Sequence, residues 1–127
     1  MFPVVHHLIG EGEIQERYRM INEFEEHLQN NNTIILKFYL HISEKEQLER
    51  LKGRLTKPDK KWNYNSAHKK ESKKWNDYME VYHHAIDLCG KTNPWIIVPS
   101  DQKWYRNYII ASTIVKTLED LKMEYPR

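Results

Sequence analysis

Between Gly12 and Gln29 the apolar positions Ile14, Tyr18, Ile21, Phe24 and Leu28 recur at steps of four, three, three and four, with six glutamates from Glu11 to Glu26 lying mostly between them. That period gathers one apolar stripe on a helix and leaves the charges opposite, so an amphipathic helix is predicted here. Asn30, Asn31 and Asn32 break the pattern, and Thr33 to Ile42 then reads TIILKFYLHI, nearly continuous in β-branched, aromatic and aliphatic residues. Such a run suits a strand buried on both faces of a parallel sheet. Ser43 followed by Glu46 is a capping-box pattern and predicts a second helix that ends near Leu55, ahead of Pro58.

Residues Thr56 to Asn65 (TKPDKKWNYN) are polar, aperiodic and interrupted by proline, the composition of a loop. A longer helix is predicted from near Ser66, burying Trp75, Tyr78, Tyr82, Ile86 and Cys89 and stopping at Gly90. Asn93 and Pro94 turn the chain into Trp95 to Val98 (WIIV), a short buried strand closed by Pro99. Ser100 and Asp101 are good N-caps for a last helix over Gln102 to Lys122, with Tyr105, Tyr108, Ile109, Ser112, Val115, Leu118 and Leu121 inward. The order is that of an α/β layer protein with too few strands, two secure ones and Phe2 to Val5 (FPVV) as a doubtful third. The 127 residues therefore read as a single incomplete domain, the second half of a larger one.

Composition narrows the class. No run approaches the roughly 18 apolar residues of a membrane span, and Met1 to Gly10 lacks the features of a signal peptide. Cys89 is the lone cysteine, so no internal disulfide and no cysteine-rich zinc site is available, and a cytoplasmic protein without a membrane is expected. Only four glycines occur, and neither G-x-x-x-x-G-K-[ST] nor G-x-G-x-x-G can be written with them. Charge is uneven: Arg50 to Lys74 holds ten basic residues against Asp59 and Glu71, so this block is +8 while the net charge is +2 and the remainder −6. A basic block on an acidic body points to a local polyanion site, although a run of charge alone is also what a solvated face looks like.

The series ERYRMINEFEEHL, TIILKFYLHISEKEQLERLKGRL, KPDKKW, KKWNDYMEVYHHAI and PWIIVPSDQKWYRN resembles, in order and spacing, the carboxy-terminal half of the type-2 polyphosphate kinases, which are P-loop kinases. The resemblance implies an α/β fold: a partial parallel sheet flanked by helices, the C-terminal part of a P-loop kinase-like three-layer domain, with a helical lid over about residues 50–74. It implies a phosphotransferase that uses Mg2+ to move a phosphoryl group between inorganic polyphosphate and AMP, ADP or GDP and the corresponding triphosphates, and a homo-oligomer in the full-length form. It makes Phe2 to Val5 a helix end, where propensity alone slightly favours strand. The family's glycine-rich loop, its magnesium aspartate and its arginine-rich helix lie upstream of the matched region, so no magnesium ligand and little activity are expected of this chain alone. Asn63 stands where the family usually has a lid lysine.

Phosphoryl transfer is mainly positioning and charge neutralisation, so cations at defined places are the candidates. Arg50 and Arg54, four apart on a predicted helix, share one face, where two guanidinium forks can grip phosphate oxygens. Spacing alone favours surface decoration, and the resemblance reverses this into a catalytic role. Lys57 and Lys60 flank Pro58 in a segment too polar for a core and can meet a polyanion as point charges, or be plain surface lysines. Asp101 and Lys103 follow a strand at its carboxyl end, where α/β sheets bind ligands; Asp101 is equally readable as an N-cap, and Lys103 resembles a family position near the nucleotide. Trp62 is expected to anchor the lid more than to meet a base. Glu80 and His83 form one E-x-x-H, but adjacent histidine pairs cannot converge on one centre, so no protein metal site is expected. The alternative function is a non-catalytic polyanion or single-stranded nucleic-acid binding module, with Trp62, Tyr64 and Trp75 as stacking surfaces; for the kinase reading, no nucleic acid is expected as a partner.

Overall fold

The glutamate-rich segment forms α2 (Glu11–Asn30), preceded by the short α1 (Phe2–Val5). Helix α2 is laced on its outer side by Arg17 to Glu13 at 2.7 Å and by Arg19 between Glu16 and Glu23. Exposed pairs of this spacing contribute only about 0.3 to 0.5 kcal/mol each. The asparagine run ends the helix by a backbone device: Asn32 takes a left-handed φ of 63° and the Thr33 N–H reaches back to the Leu28 carbonyl at 3.0 Å. These coordinates are a computed structural model that describes residues 1–63 and 65–126.

The remaining elements are β1 (Lys37–His41), α3 (Glu44–Thr56), a 3-10 helix (Pro58–Asn63), α4 (Ser66–Ser72), α5 (Trp75–Leu88), β2 (Trp95–Pro99) and α6 (Lys103–Asp120). Strands β1 and β2 are parallel, with Lys37 opposite Trp95 and His41 opposite Pro99. The sheet and its helices form the expected α/β arrangement. The FPVV segment is helical, as the resemblance implied and propensity alone did not.

Several expectations are corrected. The first strand begins at Lys37, not Thr33, because the ladder runs only where β2 lies opposite. Neither sheet face is fully covered: successive residues point to opposite sides, and Leu40 on one face and Ile97 on the other are 47% and 58% exposed. Val98 is fully buried. The polar 56–65 segment is not a plain loop but contains the 3-10 helix. The long helix after Ser66 breaks at Lys73 and Lys74 into α4 and α5. Helix α6 turns Ile109, Ile110, Thr113 and Thr117 partly inward, whereas Tyr105, Tyr108, Val115, Leu118 and Leu121 of the predicted stripe are exposed.

Gly90 follows the end of α5 as expected, for a different reason. Its φ is not left-handed; instead a Cβ there would lie 2.5 Å from the Ile86 carbonyl oxygen, so the close turn admits only glycine. At the amino ends of the strands, buried Lys37 pairs with Glu25 at 3.1 Å, donates to the Cys89 carbonyl and sits 4.5 Å from the centre of the Trp95 ring. Asn93 donates to the same Glu25 at 3.3 Å. This network satisfies a buried charge and lies at the end of the sheet opposite the carboxyl ends of its strands.

Candidate polyanion-binding site

The carboxyl ends of two parallel strands need their following loops tied together before they can frame a crevice. Here the Ser100 N–H donates to the His41 carbonyl at 2.7 Å, and the Ser43 N–H donates to Asp101 Oδ1 at 2.7 Å. Ser43 is also the N-cap of α3, its Oγ accepting from the Glu46 N–H at 3.2 Å, as the capping-box pattern predicts. The Ser43 donors, and then the Arg50 charge, hold the Asp101 carboxyl below the usual carboxylate range. Asp101 thus joins the two strand-end loops rather than capping its own helix, whose N-cap is Gln102.

Arg50 projects from α3 back onto the same loop. Its Nε pairs with Glu46 at 2.9 Å, and its Nη2 donates to the carbonyls of Ser100 at 2.7 Å and Asp101 at 3.1 Å. One turn later Arg54 donates from Nη1 to His68 Nδ1 of α4 at 3.3 Å. The two guanidinium groups lie on the wall between two cavities. One, of about 400 Å3, is bounded by the aromatic side chains Trp75, Tyr78 and Tyr82. The other, about 790 Å3, opens between α3, the 3-10 helix and the start of α6.

Arg50, Arg54, Lys57, Lys60 and Lys103 all line the larger cavity, so five of the six residues singled out in the sequence are brought together. Lys52 adds a sixth cation, against the carboxylates of Glu46, Glu49 and Asp59. Lys57, Lys60 and Lys103 make no ion pair among the described residues. Asp101 lies apart, in a neighbouring depression with Ser43 and Trp104.

Trp62 departs from expectation. It is 83% exposed on the rim of the cation-lined cavity and anchors nothing among the described residues; its indole N–H donates to the Asp59 carbonyl one turn back, at 2.9 Å. Trp75 is half-buried on the other cavity, so the two indoles do not form one stacking surface, and Tyr64 lies outside the described residues, as does the side chain of Asn63.

Sequence reasoning missed two features. The Arg50 contacts to Ser100 and Asp101 join residues some fifty positions apart, and no local pattern announces them. The second is a clamp at the base of α4: His6 Nε2 sits 2.9 Å from both Glu71 oxygens, Lys74 Nζ lies 3.3 Å from His6 Nδ1, and the Tyr78 hydroxyl donates to Glu71 at 2.6 Å. Tyr78 and His6 hold the Glu71 carboxyl below its ordinary range, while burial and then the hydrogen bond to Glu71 and its charge push the Tyr78 hydroxyl up to about 12. No group of three or more His, Cys, Asp or Glu side chains is gathered to hold a metal among the described residues, and no helix there is long and apolar enough to cross a membrane.

Comparison with known proteins matches this architecture to one family. The family described as Polyphosphate kinase 2 (PPK2) matches residues 3–126. An AMP/ADP-polyphosphate phosphotransferase of Meiothermus ruber is 40% identical over 124 residues, 97% of this chain and 46% of that protein. An ADP-polyphosphate phosphotransferase of Rhodopseudomonas palustris is 39% identical over 112 residues, 87% of this chain and 39% of that protein. The crystal structure of Polyphosphate Kinase 2 from Arthrobacter aurescens superimposes with a TM-score of 0.87 at 34% identity, covering 92% of this chain and 42% of that one. The chain spans less than half the length of each of these three proteins.

Proposed function

The chain belongs to the polyphosphate kinase 2 family, and on that premise we propose that it is the lid-bearing part of a cytoplasmic polyphosphate:nucleotide phosphotransferase. The observation that carries the proposal is the convergence of Arg50, Arg54, Lys57, Lys60 and Lys103 on one open cavity beside the carboxyl ends of β1 and β2. Clustered cations of this kind neutralise the oxygens of a phosphate chain and of the group in transfer. Arg54 and Arg50 act on the transferring group, the three lysines hold the phosphate chain, and Asp101 positions the loop on which Arg50 rests. The substrates are inorganic polyphosphate and a nucleoside mono- or diphosphate.

The 127 residues contain no phosphate-cradling glycine loop, so this chain alone turns over nothing; it forms one part of a larger domain whose remainder supplies that loop, and the full-length protein is a homo-oligomer. The described residues do not fit a resident magnesium ion, which would arrive with the nucleotide and polyphosphate and find its protein ligands elsewhere. The separation of Trp62 from Trp75 weighs against the nucleic-acid module, which needs successive aromatic platforms. The test is a titration of the chain with polyphosphate and with single-stranded DNA of equal phosphate count. Tighter binding to polyphosphate is expected, and equal affinities with the same steep salt dependence would overturn the proposal.

A further inference from the structure

Trp62 is a large apolar side chain held in water, at 83% exposure, on the rim of a cavity lined mostly by charged side chains. Its one polar atom is already satisfied inside its own 3-10 turn, by the Asp59 carbonyl at 2.9 Å. That bond leaves the indole no free donor and narrows its rotamers, so what the side chain presents is a π-face in a restricted orientation. The six cations of the cavity, in excess over its three carboxylates, explain binding of phosphate but leave an exposed indole unexplained. A ligand that meets both features carries a flat aromatic ring attached to a short phosphate chain. A nucleotide has that form and polyphosphate does not.

We infer that Trp62 is a specificity-determining residue that stacks on the base of the nucleotide, so that one cavity separates its two polyanionic substrates by the ring only one of them carries. This rests on the reading of the cation cluster as a phosphate site. Stacking of a base on an aromatic side chain tolerates different bases because each has a π-face, and the larger purines gain more contact than pyrimidines. Lys60, two residues before the indole in the same 3-10 helix, and Lys57, just ahead of that helix, line the same cavity and hold the phosphate tail of whichever substrate is bound.

The experiment titrates the chain, Trp62→Ala and Trp62→Phe with ADP and with tripolyphosphate, following binding by calorimetry and indole emission. Trp62→Ala should weaken ADP by roughly 5- to 100-fold and tripolyphosphate by less than about 2-fold, with Trp62→Phe between the two for ADP. The emission that wild type has in excess of Trp62→Phe should be quenched by ADP and not by tripolyphosphate. Equal weakening of both ligands, no weakening of either, or no binding of ADP by a chain that binds tripolyphosphate overturns the stacking role and leaves the phosphate site standing. Failure of the wild-type chain to bind either ligand overturns the phosphate site itself, and the stacking role with it.

Discussion

At the scale of single residues, Arg50 and Arg54 look equivalent in the sequence and are not equivalent in space. Arg50 spends its Nε on Glu46 and one terminal nitrogen on the carbonyls of Ser100 and Asp101, so it braces α3 against the loop after β2. Arg54 has a ring nitrogen of His68 as its partner and keeps more of its fork for a ligand. Hydrogen bonds to charged groups contribute about 1.5 to 3 kcal/mol when both partners are sheltered, and less at a half-exposed site. In a full-length phosphotransferase carrying this segment, Arg54→Ala should cut turnover by about 10³-fold or more with an unchanged urea midpoint. Arg50→Ala should cut turnover similarly and also lower stability by about 1 to 2 kcal/mol. Equal midpoints for the two variants would show that the carbonyl contacts brace nothing. The four-residue spacing announced a shared face, but not the loop that occupies one guanidinium, because that contact depends on tertiary closure.

At the scale of elements, local chemistry was legible and element ends were not. Ser43 caps α3 through the Glu46 N–H as their spacing promised, while its own N–H goes to Asp101 in place of the Glu46 carboxylate of a full capping box, and the asparagine run stops α2. The break at Lys73 and Lys74 has no proline or glycine to mark it. Helix α6 carries apolar residues around much of its circumference, so periodicity could not choose the inward face. The clamp joining α1 to the α4–α5 break is likewise tertiary, and it makes a prediction about pH. Tyr78 is raised from 10.0 to about 12 in the folded chain, so its contribution is fully present below pH 10.0 and is lost as pH rises toward about 12. Glu71 is lowered from 4.5, so its contribution is present above pH 4.5 and is lost as pH falls through its folded value. The stability advantage of wild type over Tyr78→Phe, read from urea midpoints, should therefore be level through neutral pH and shrink above pH 10.0. The advantage over Glu71→Gln should shrink below pH 4.5 and again above pH 10.0, because Glu71 is part of what raises Tyr78. An advantage that is level across both windows would mean that neither group titrates differently in the folded chain.

At the scale of the whole molecule, the shortage of strands was visible in the sequence because only two runs had secure strand composition, with Phe2 to Val5 a doubtful third, and the two strands among the described residues leave apolar faces such as Leu40 and Ile97 in water. What composition also gives is the electrostatic division: residues 50–74 carry +8 while the rest of the chain carries −6, within a net charge of +2. The fold preserves that division at the cavity, where six basic side chains outnumber three acidic ones. Net charge therefore understates attraction for a polyanion, since screening over about 8 Å at physiological ionic strength hides distant carboxylates more than the cations in contact. Binding of polyphosphate should weaken linearly with the logarithm of salt concentration, as it does for linear polyanions that release condensed counter-ions. Lys57→Ala and Lys60→Ala should each lower that slope by about one unit, and the double variant by about two, whereas Lys116→Ala on α6, outside the cavity, should leave it unchanged. Calorimetric titrations at four salt concentrations read the slope directly. A slope that Lys116→Ala lowers as much as Lys57→Ala would mean that polyphosphate is attracted by overall charge and not held at the cavity.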